Sequence, residues 1–257
     1  MIHVFCSRWG DKYPIEYVNK LYNMLRRHMP CDFTLYCQTD DTDGLNGKVI
    51  QLPFLTDLPE STPEEMMASN DYRYGLPRLW DRPKLNYFKP NAWGISGTKM
   101  AFDIDIIIHN NMKPVVELFD DKPITARSWW HNREHEQRPD WAYRRGAHNN
   151  GGFYMWTDDM CVDIWEDCLK NAKRIYYLFT GGSDNFISQR HISLFDFLPP
   201  TMFYSFNRGC EWPHDLSKHK IRKEKIMCVF NTDPGNATNF EIHDAIKVYP
   251  EVNALWK

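Results

Sequence analysis

Short apolar runs, each bounded by turn-forming or charged residues, alternate with helical patterns along this chain. Ile2-His3-Val4-Phe5-Cys6 predicts a strand at the very start. From Pro14 to about His28 the apolar positions Ile15, Val18, Leu21, Tyr22 and Leu25 recur at helical spacing. Arg26, Arg27 and His28 then place cations at the negative end of the helix dipole. Phe33-Thr34-Leu35-Tyr36-Cys37 predicts a second strand, closed by the turn-rich stretch Thr39 to Gly44, and Val49 to Leu52 a short third one. A strand–helix–strand start of this kind predicts a parallel unit with a right-handed crossover.

Residues 53–83 are rich in Pro, Glu, Ser and Asp and read as a long surface excursion, and Pro83 suits the first position of a following helix. Lys99 to Ile108 reads as one buried strand interrupted by Asp103 and Asp105. Pro123 to Trp130 predicts another strand, and 131–148 is polar and arginine-rich. Asn149-Asn150-Gly151-Gly152 feeds a strand over Phe153 to Trp156. Thr157-Asp158-Asp159 predicts a helix start running to about Ala172, and Gly181 to Asn185 opens a second, short helix. Further strand patterns fall at Ile192 to Phe197, Phe203 to Phe206 and Ile226 to Phe230, with no composition shift to mark a domain boundary.

The Asp103-Ile104-Asp105 stretch carries the sharpest chemical signal. On one strand, residues two apart face the same way, so both carboxylates project together from an apolar setting. Buried unpaired charge is costly, and two readings offset it. Either a hard divalent cation binds the carboxylate oxygens and the phosphates of a nucleotide, or the strand ends at the surface with both aspartates in turns or paired to arginines.

At 257 residues the chain can bury a sizeable core, and its net charge of −3 argues against a general nucleic-acid coat. Seven cysteines, odd in number and without a CxxC pair, suggest reduced thiols in a cytoplasmic protein rather than a disulfide framework or zinc site. No signal-peptide pattern and no apolar run of membrane-spanning length is present, so the expected location is cytoplasmic, without membrane attachment. On that reading the Asn236-Ala237-Thr238 sequon is incidental.

Several ordered stretches together resemble the nucleotide-sugar glycosyltransferases of the GT-A fold, most nearly the small bacterial and phage members related to glycosyltransferase family eight. The resemblance runs through Val4 to Tyr13, Glu16 to Tyr22, Thr39-Asp40-Asp41, Pro83-Lys84-Leu85, Asp103-Ile104-Asp105, Asn149-Asn150-Gly151 and Ser183-Asp184-Asn185. It implies a single α/β domain over residues 1–257, with a mixed, mostly parallel central sheet flanked by helices. It also implies transfer of a sugar from a UDP- or GDP-linked donor to a hydroxyl acceptor, a glycan or a modified DNA base. Cys6, Ser7, Arg8, Trp9 and Tyr13 then become candidates for the nucleoside, Lys84 for the diphosphate, and Asn149, Asn150 and Gly151 for the sugar. Asp184 and Asn150 are the candidate catalytic residues. Asp103 and Asp105 would hold Mn²⁺ or Mg²⁺. A phage-encoded member would act in the host cytoplasm.

One departure from the family pattern concerns the third metal ligand, usually a His after the last strand. Here that place reads Phe230-Asn231-Thr232-Asp233-Pro234, so Asn231 becomes the candidate and strict metal dependence is open. The rival from another class is a non-catalytic glycan- or nucleic-acid-binding module that keeps the fold. His131-Asn132-Arg133-Glu134-His135 fits an inverted zincin pattern, but its polar, arginine-rich flanks suit an acceptor-side loop better. Lys218 to Lys225 reads as a solvated basic face that, with Arg127, Arg144 and Arg145, offers a polyanion surface.

Overall fold

A computed structural model describes residues 1–60, 81–128, 149–179, 182–231 and 238–257. The opening unit forms as the pattern predicts. Strand β1 (Ile2–Ser7) pairs parallel with β2 (Phe33–Gln38), which pairs parallel with β3 (Ile50–Leu52). Helix α1 (Glu16–His28) connects β1 and β2 and buries Tyr17, Val18, Leu21, Met24 and Leu25. Residues 17, 18, 21, 24 and 25 form one helical stripe, and their burial supplies the driving force that docks the helix on the sheet.

β4 (Thr98–Phe102) pairs parallel with the other side of β1. The predicted continuous strand through residue 108 is two strands in two sheets. After Phe102 the chain turns at Asp103 to Asp105, and β5 (Ile106–Ile108) enters a separate three-stranded sheet. A uniformly apolar run hides such a switch, because both halves are buried and hydrophobicity does not change across the turn. Helix α2 (Lys113–Leu118) follows, then β6 (Ile124–Arg127) and β7 (Asn149–Thr157).

The seven-stranded sheet has the order β3-β2-β1-β4-β7-β6-β8, where β8 is Asp196–Phe197. β7 is antiparallel to both neighbours while every other pairing in this sheet is parallel. In the small sheet, β10 (Met227–Val229) lies between β5 and β9 (Phe203–Ser205). Its side chains join one core with α1 and the adjoining face of the large sheet; the opposite face packs a second core rich in Tyr, Trp and Phe.

Helix α3 (Val162–Leu178) begins later than the sequence predicts. Asp158 adopts φ 44° and its carboxylate accepts the Gly97 N–H, so it serves a turn between strands instead of capping a helix. Helix α4 (Ser183–Arg190) follows, and Ile192–Leu194 forms a 3₁₀ turn where a strand was expected, leaving only Asp196 and Phe197 in β8. Helices α5 (Ile242–Val248) and α6 (Pro250–Leu255) close the chain against the first core. The H-x-x-E-H stretch, Arg144, Arg145 and Asp233 lie outside the described residues. No helix among the described residues is long and apolar enough to cross a membrane.

Candidate active site

The parallel strands β1, β2 and β4 end on the same edge of the sheet, where ligands bind in open α/β folds. After β1, Ser7 is buried: its Oγ contacts Tyr87 Oη at 2.5 Å and accepts from Gln38 Nε2 at 2.9 Å. Gln38 Nε2 also reaches Pro83 O, and Asn86 Nδ2 donates to Gln38 Oε1 at 2.8 Å. This buried amide–hydroxyl network joins the ends of β1 and β2 to the 3₁₀ segment Arg82–Phe88 that carries Lys84. Expected as a helix, that segment has a 3₁₀ form with Pro83 inside its first turn, where a missing N–H costs nothing.

Arg8 bonds Tyr13 O and approaches Asp41 at 3.3 Å and Asp40 at 3.9 Å, tying the first loop to the turn after β2. Trp9 is exposed. The Tyr13 hydroxyl lies 3.1 Å from Asp105 Oδ2 and 3.2 Å from Glu241 Oε2, bridging the opening loop, the Asp-Ile-Asp turn and the start of α5. Cys6, by contrast, is fully buried among core residues, and burial pushes its thiol well up, with Cys37 beside it adding to the shift. Its side chain is part of the core and offers nothing to a nucleoside.

Asp103 and Asp105 sit in the turn between the two sheets, half-buried. Lys84 Nζ bonds Asp103 Oδ1 at 2.6 Å and lies 4.0 Å from Asp81 Oδ2. Burial alone would depress the Lys84 ammonium, yet the charges of Asp103, Asp81 and Asp184 outweigh it and hold its pKa above the ordinary value. Burial raises Asp105 to about 6, the neighbouring Asp103 charge adds to this, and Lys84 opposes it.

β7 supplies the next wall. Its register against β6 jumps from Tyr154 opposite Thr125 to Asn150 opposite Ala126, so Gly151, Gly152 and Phe153 bulge out of the ladder. The bulge touches the acidic turn through the Asp103 N–H, which donates to Gly152 O at 3.3 Å. Asp184, in the first turn of α4, accepts the Gly151 N–H at 3.0 Å. A Cβ at residue 151 would fall 2.1 Å from Asp184 Oδ1, so only glycine permits this approach. Burial lifts the Asp184 carboxyl to about 6, against the pull of Lys84 and with the charges of Asp81 and Asp103 adding to the rise. Its Oδ1 is buried without a hydrogen-bond partner among the described residues.

The two asparagines diverge. Asn150 Oδ1 accepts the Gly152 N–H at 2.9 Å, a local turn that leaves its Nδ2 as a donor. Asn149 is withdrawn: its Nδ2 donates to Tyr154 Oη at 2.6 Å and its Oδ1 accepts from Ser188 Oγ. Both ends of that carboxamide serve the interior.

Asn231 emerges from β10, whose Val229 pairs with Ile106, so two residues on the chain passes beside the Asp103–Asp105 turn. It adopts φ 46°, and its buried Oδ1 lacks a partner among the described residues. Two carboxylates and an orphaned carboxamide oxygen are an all-oxygen set that fits Mg²⁺ or Mn²⁺. No group of three or more His, Cys, Asp and Glu able to hold a metal is assembled among the described residues, so the carboxamide is needed to complete such a set.

Asp81 and Glu241 join the site without a local signal in the sequence, whereas Ser183 lies within the Ser183-Asp184-Asn185 stretch of the family resemblance. The basic run is solvated at Lys218, Lys220 and Lys223, but two of its cations turn inward. Arg222 is buried against Asp215 and Ser217, Lys225 donates to Pro200 O and Trp212 O, and Arg127 approaches Glu211 at 3.8 Å.

No protein-family model and no curated protein sequence matches the chain. Solved structures do. The galactosyltransferase LgtC, in complex with donor and acceptor sugar analogues, is 11% identical over 99% of this chain and 96% of its own, with a TM-score of 0.57. Mouse xyloside xylosyltransferase 1 is 12% identical over 93% of this chain and 98% of its own, at a TM-score of 0.51. The bifunctional glycosyltransferase WbbM is 13% identical over 98% of this chain and 51% of its own, at 0.56. At such identities the likeness speaks for architecture, and the architecture of this chain is that of the GT-A glycosyltransferases.

Proposed function

We propose that the protein transfers a sugar from a nucleoside-diphosphate donor to a hydroxyl acceptor, and that the edge of the sheet built from Ser7–Tyr13, Lys84, Asp103–Asp105, Asn150–Gly151 and Asp184 is where it does so. The observation that carries the reading is the gathering of Asp81, Asp103 and Asp184 around the Lys84 ammonium, with Asp184 Oδ1 and Asn231 Oδ1 both buried without a partner among the described residues. Structural stability alone does not account for such a set, since unpaired buried oxygens cost free energy. LgtC, of the same fold, was crystallised with donor and acceptor sugar analogues, which supports a sugar donor and a sugar acceptor here.

In this reading the loop after β1 receives the nucleoside, with the exposed Trp9 ring and the Arg8–Asp41 tie at its mouth. Lys84 offers its ammonium to the diphosphate. Asp103, Asp105 and Asn231 would hold Mn²⁺ or Mg²⁺, which when bound neutralises charge building on the leaving diphosphate. Asp184, ionised above about pH 6, presents Oδ1, which has no partner among the described residues, to a hydroxyl of the donor sugar, and Asn150 Nδ2 donates beside it. Fixing the donor against rigid backbone in this way lowers the entropic part of the barrier to attack by the acceptor oxygen. A glycan acceptor is favoured over a modified DNA base, because Arg222 and Lys225 of the basic run are buried and engaged within the protein.

A non-catalytic module with the same fold is the second reading, favoured by Asn231 standing where family-eight-like relatives carry His. Incubation with Mn²⁺ and UDP-glucose, UDP-galactose or GDP-mannose separates the two. Free sugar released by the wild type and not by the Asp103→Ala/Asp105→Ala variant is the expected result. Nucleotide binding without release from any donor would favour the module.

A further inference from the structure

At the start of α4 the chain is held by one residue outside the stretches that carry the family likeness. Asp81 Oδ1 accepts the Ser183 backbone N–H at 2.7 Å, and Asp81 Oδ2 accepts from Ser183 Oγ at 2.7 Å. The contact runs from the 3₁₀ segment that carries Lys84 to the helix that carries Asp184, both of which pack into the second core. Gly182, at φ 91°, lets the chain pass: a Cβ there would meet Asp81 Oδ1 at 2.6 Å. On the other side Asp184 is pressed onto Gly151, where a Cβ would meet it at 2.1 Å. The first turn of α4 is thus clamped between two carboxylate–amide contacts, each closed by a glycine.

We propose that Asp81 is a positioning residue for sugar transfer: by holding Ser183 through both carboxylate oxygens it fixes Asp184 over Gly151 and so sets the register of the donor sugar. Asp81 acts through Ser183 and does not itself touch donor. Its secondary contact, Lys84 Nζ at 4.0 Å, is longer than the 2.6 Å bond from Lys84 to Asp103. The clamp therefore bears on the sugar end more than on the diphosphate. With the helix start anchored from outside, Asp184 needs no second contact to be held, and its Oδ1 has no hydrogen-bond partner among the described residues.

The proposal rests on the glycosyltransferase reading, and the test separates the two. Asp81→Ala removes both contacts to Ser183. Asp81→Asn keeps a carboxamide that can accept the Ser183 N–H and donate to its hydroxyl, and so rescues the geometry without the charge. With the donor that the wild type hydrolyses, Asp81→Ala is expected to lower kcat at least tenfold with KM for donor within twofold. The thermal shift given by UDP or GDP with Mn²⁺ stays as in the wild type. Asp81→Asn recovers most of the loss, and Ser183→Ala gives an intermediate one. Hydrogen exchange of the ligand-free protein should show faster exchange at the Ser183 to Phe186 amides in Asp81→Ala only. Equal loss in the Ala and Asn variants, a parallel loss of nucleotide binding, or unchanged kinetics in all three overturns the positioning role. Absence of donor hydrolysis by the wild type overturns the glycosyltransferase reading and the role with it, whereas the exchange result then shows on its own whether the clamp exists.

Discussion

Single side chains at the cleft carry opposing demands. Asp184 illustrates the point: the burial that lifts its carboxyl from 3.8 to about 6 is offset but not cancelled by Lys84. Between about pH 4 and 6 the folded protein holds a proton on this group that the unfolded chain releases. Its contribution to stability therefore falls as pH rises through that window and stays low above it. Asp184→Asn keeps an acceptor for the Gly151 N–H but does not titrate. Measured by thermal denaturation, the variant should gain on the wild type from pH 4 to 6, with a constant gap above 6; a gap independent of pH would contradict the shift. Gly151→Ala tests the close approach itself. With a Cβ 2.1 Å from Asp184 Oδ1, the expected cost is about 1–3 kcal/mol, the usual range for overpacking, read as a lowered Tm. Gly47→Ala, with no atom within 4 Å of the added carbon, should leave Tm nearly unchanged.

At the scale of elements, the opening β1–α1–β2 unit was legible because an amphipathic helix between two apolar strands has few other solutions. The acidic pair reads in the sequence as part of one strand, with turns as the alternative. Asp103 and Asp105 occupy a turn where the chain leaves one sheet for another, and an unbroken apolar run on both sides conceals it. Tertiary partners also decided the fates of Cys6, at the end of a strand, and Asn149, before a glycine pair, which are held inward by Cys37, Tyr154 and Ser188. The basic run is exposed at Lys218, Lys220 and Lys223 as read, while Arg222 and Lys225 are drawn inward by Asp215, Trp212 O and Pro200 O. That gives a prediction for the loop after β9, whose strand-like bridge between Cys210 and Asp215 is anchored from below by Lys225. Lys225→Ala strips the donor from two carbonyls and should cost about 1–3 kcal/mol per carbonyl left buried without a partner. An unchanged Tm would show that water replaces the ammonium without penalty.

For the molecule as a whole, the two sheets meet at one acidic turn, and the elements that reach it come from both ends of the chain. Tyr13 touches Asp105 and ties it to Glu241, Lys84 touches Asp103, and Gly152 O accepts the Asp103 N–H. The large sheet and the small one are thereby coupled through the group that would bind the diphosphate, so ligand binding should stabilise the molecule globally. A ligand present at a hundred times its dissociation constant contributes about 2.7 kcal/mol to the folded state. In a chain of this size that corresponds to a rise in Tm of several degrees. The most direct test is thermal denaturation with UDP or GDP at millimolar concentration and Mn²⁺, comparing the wild type with Asp103→Ala/Asp105→Ala. A rise of several degrees in the wild type that vanishes in the double variant is the predicted result. Melting curves that no nucleotide moves, or that move equally in both proteins, would contradict it.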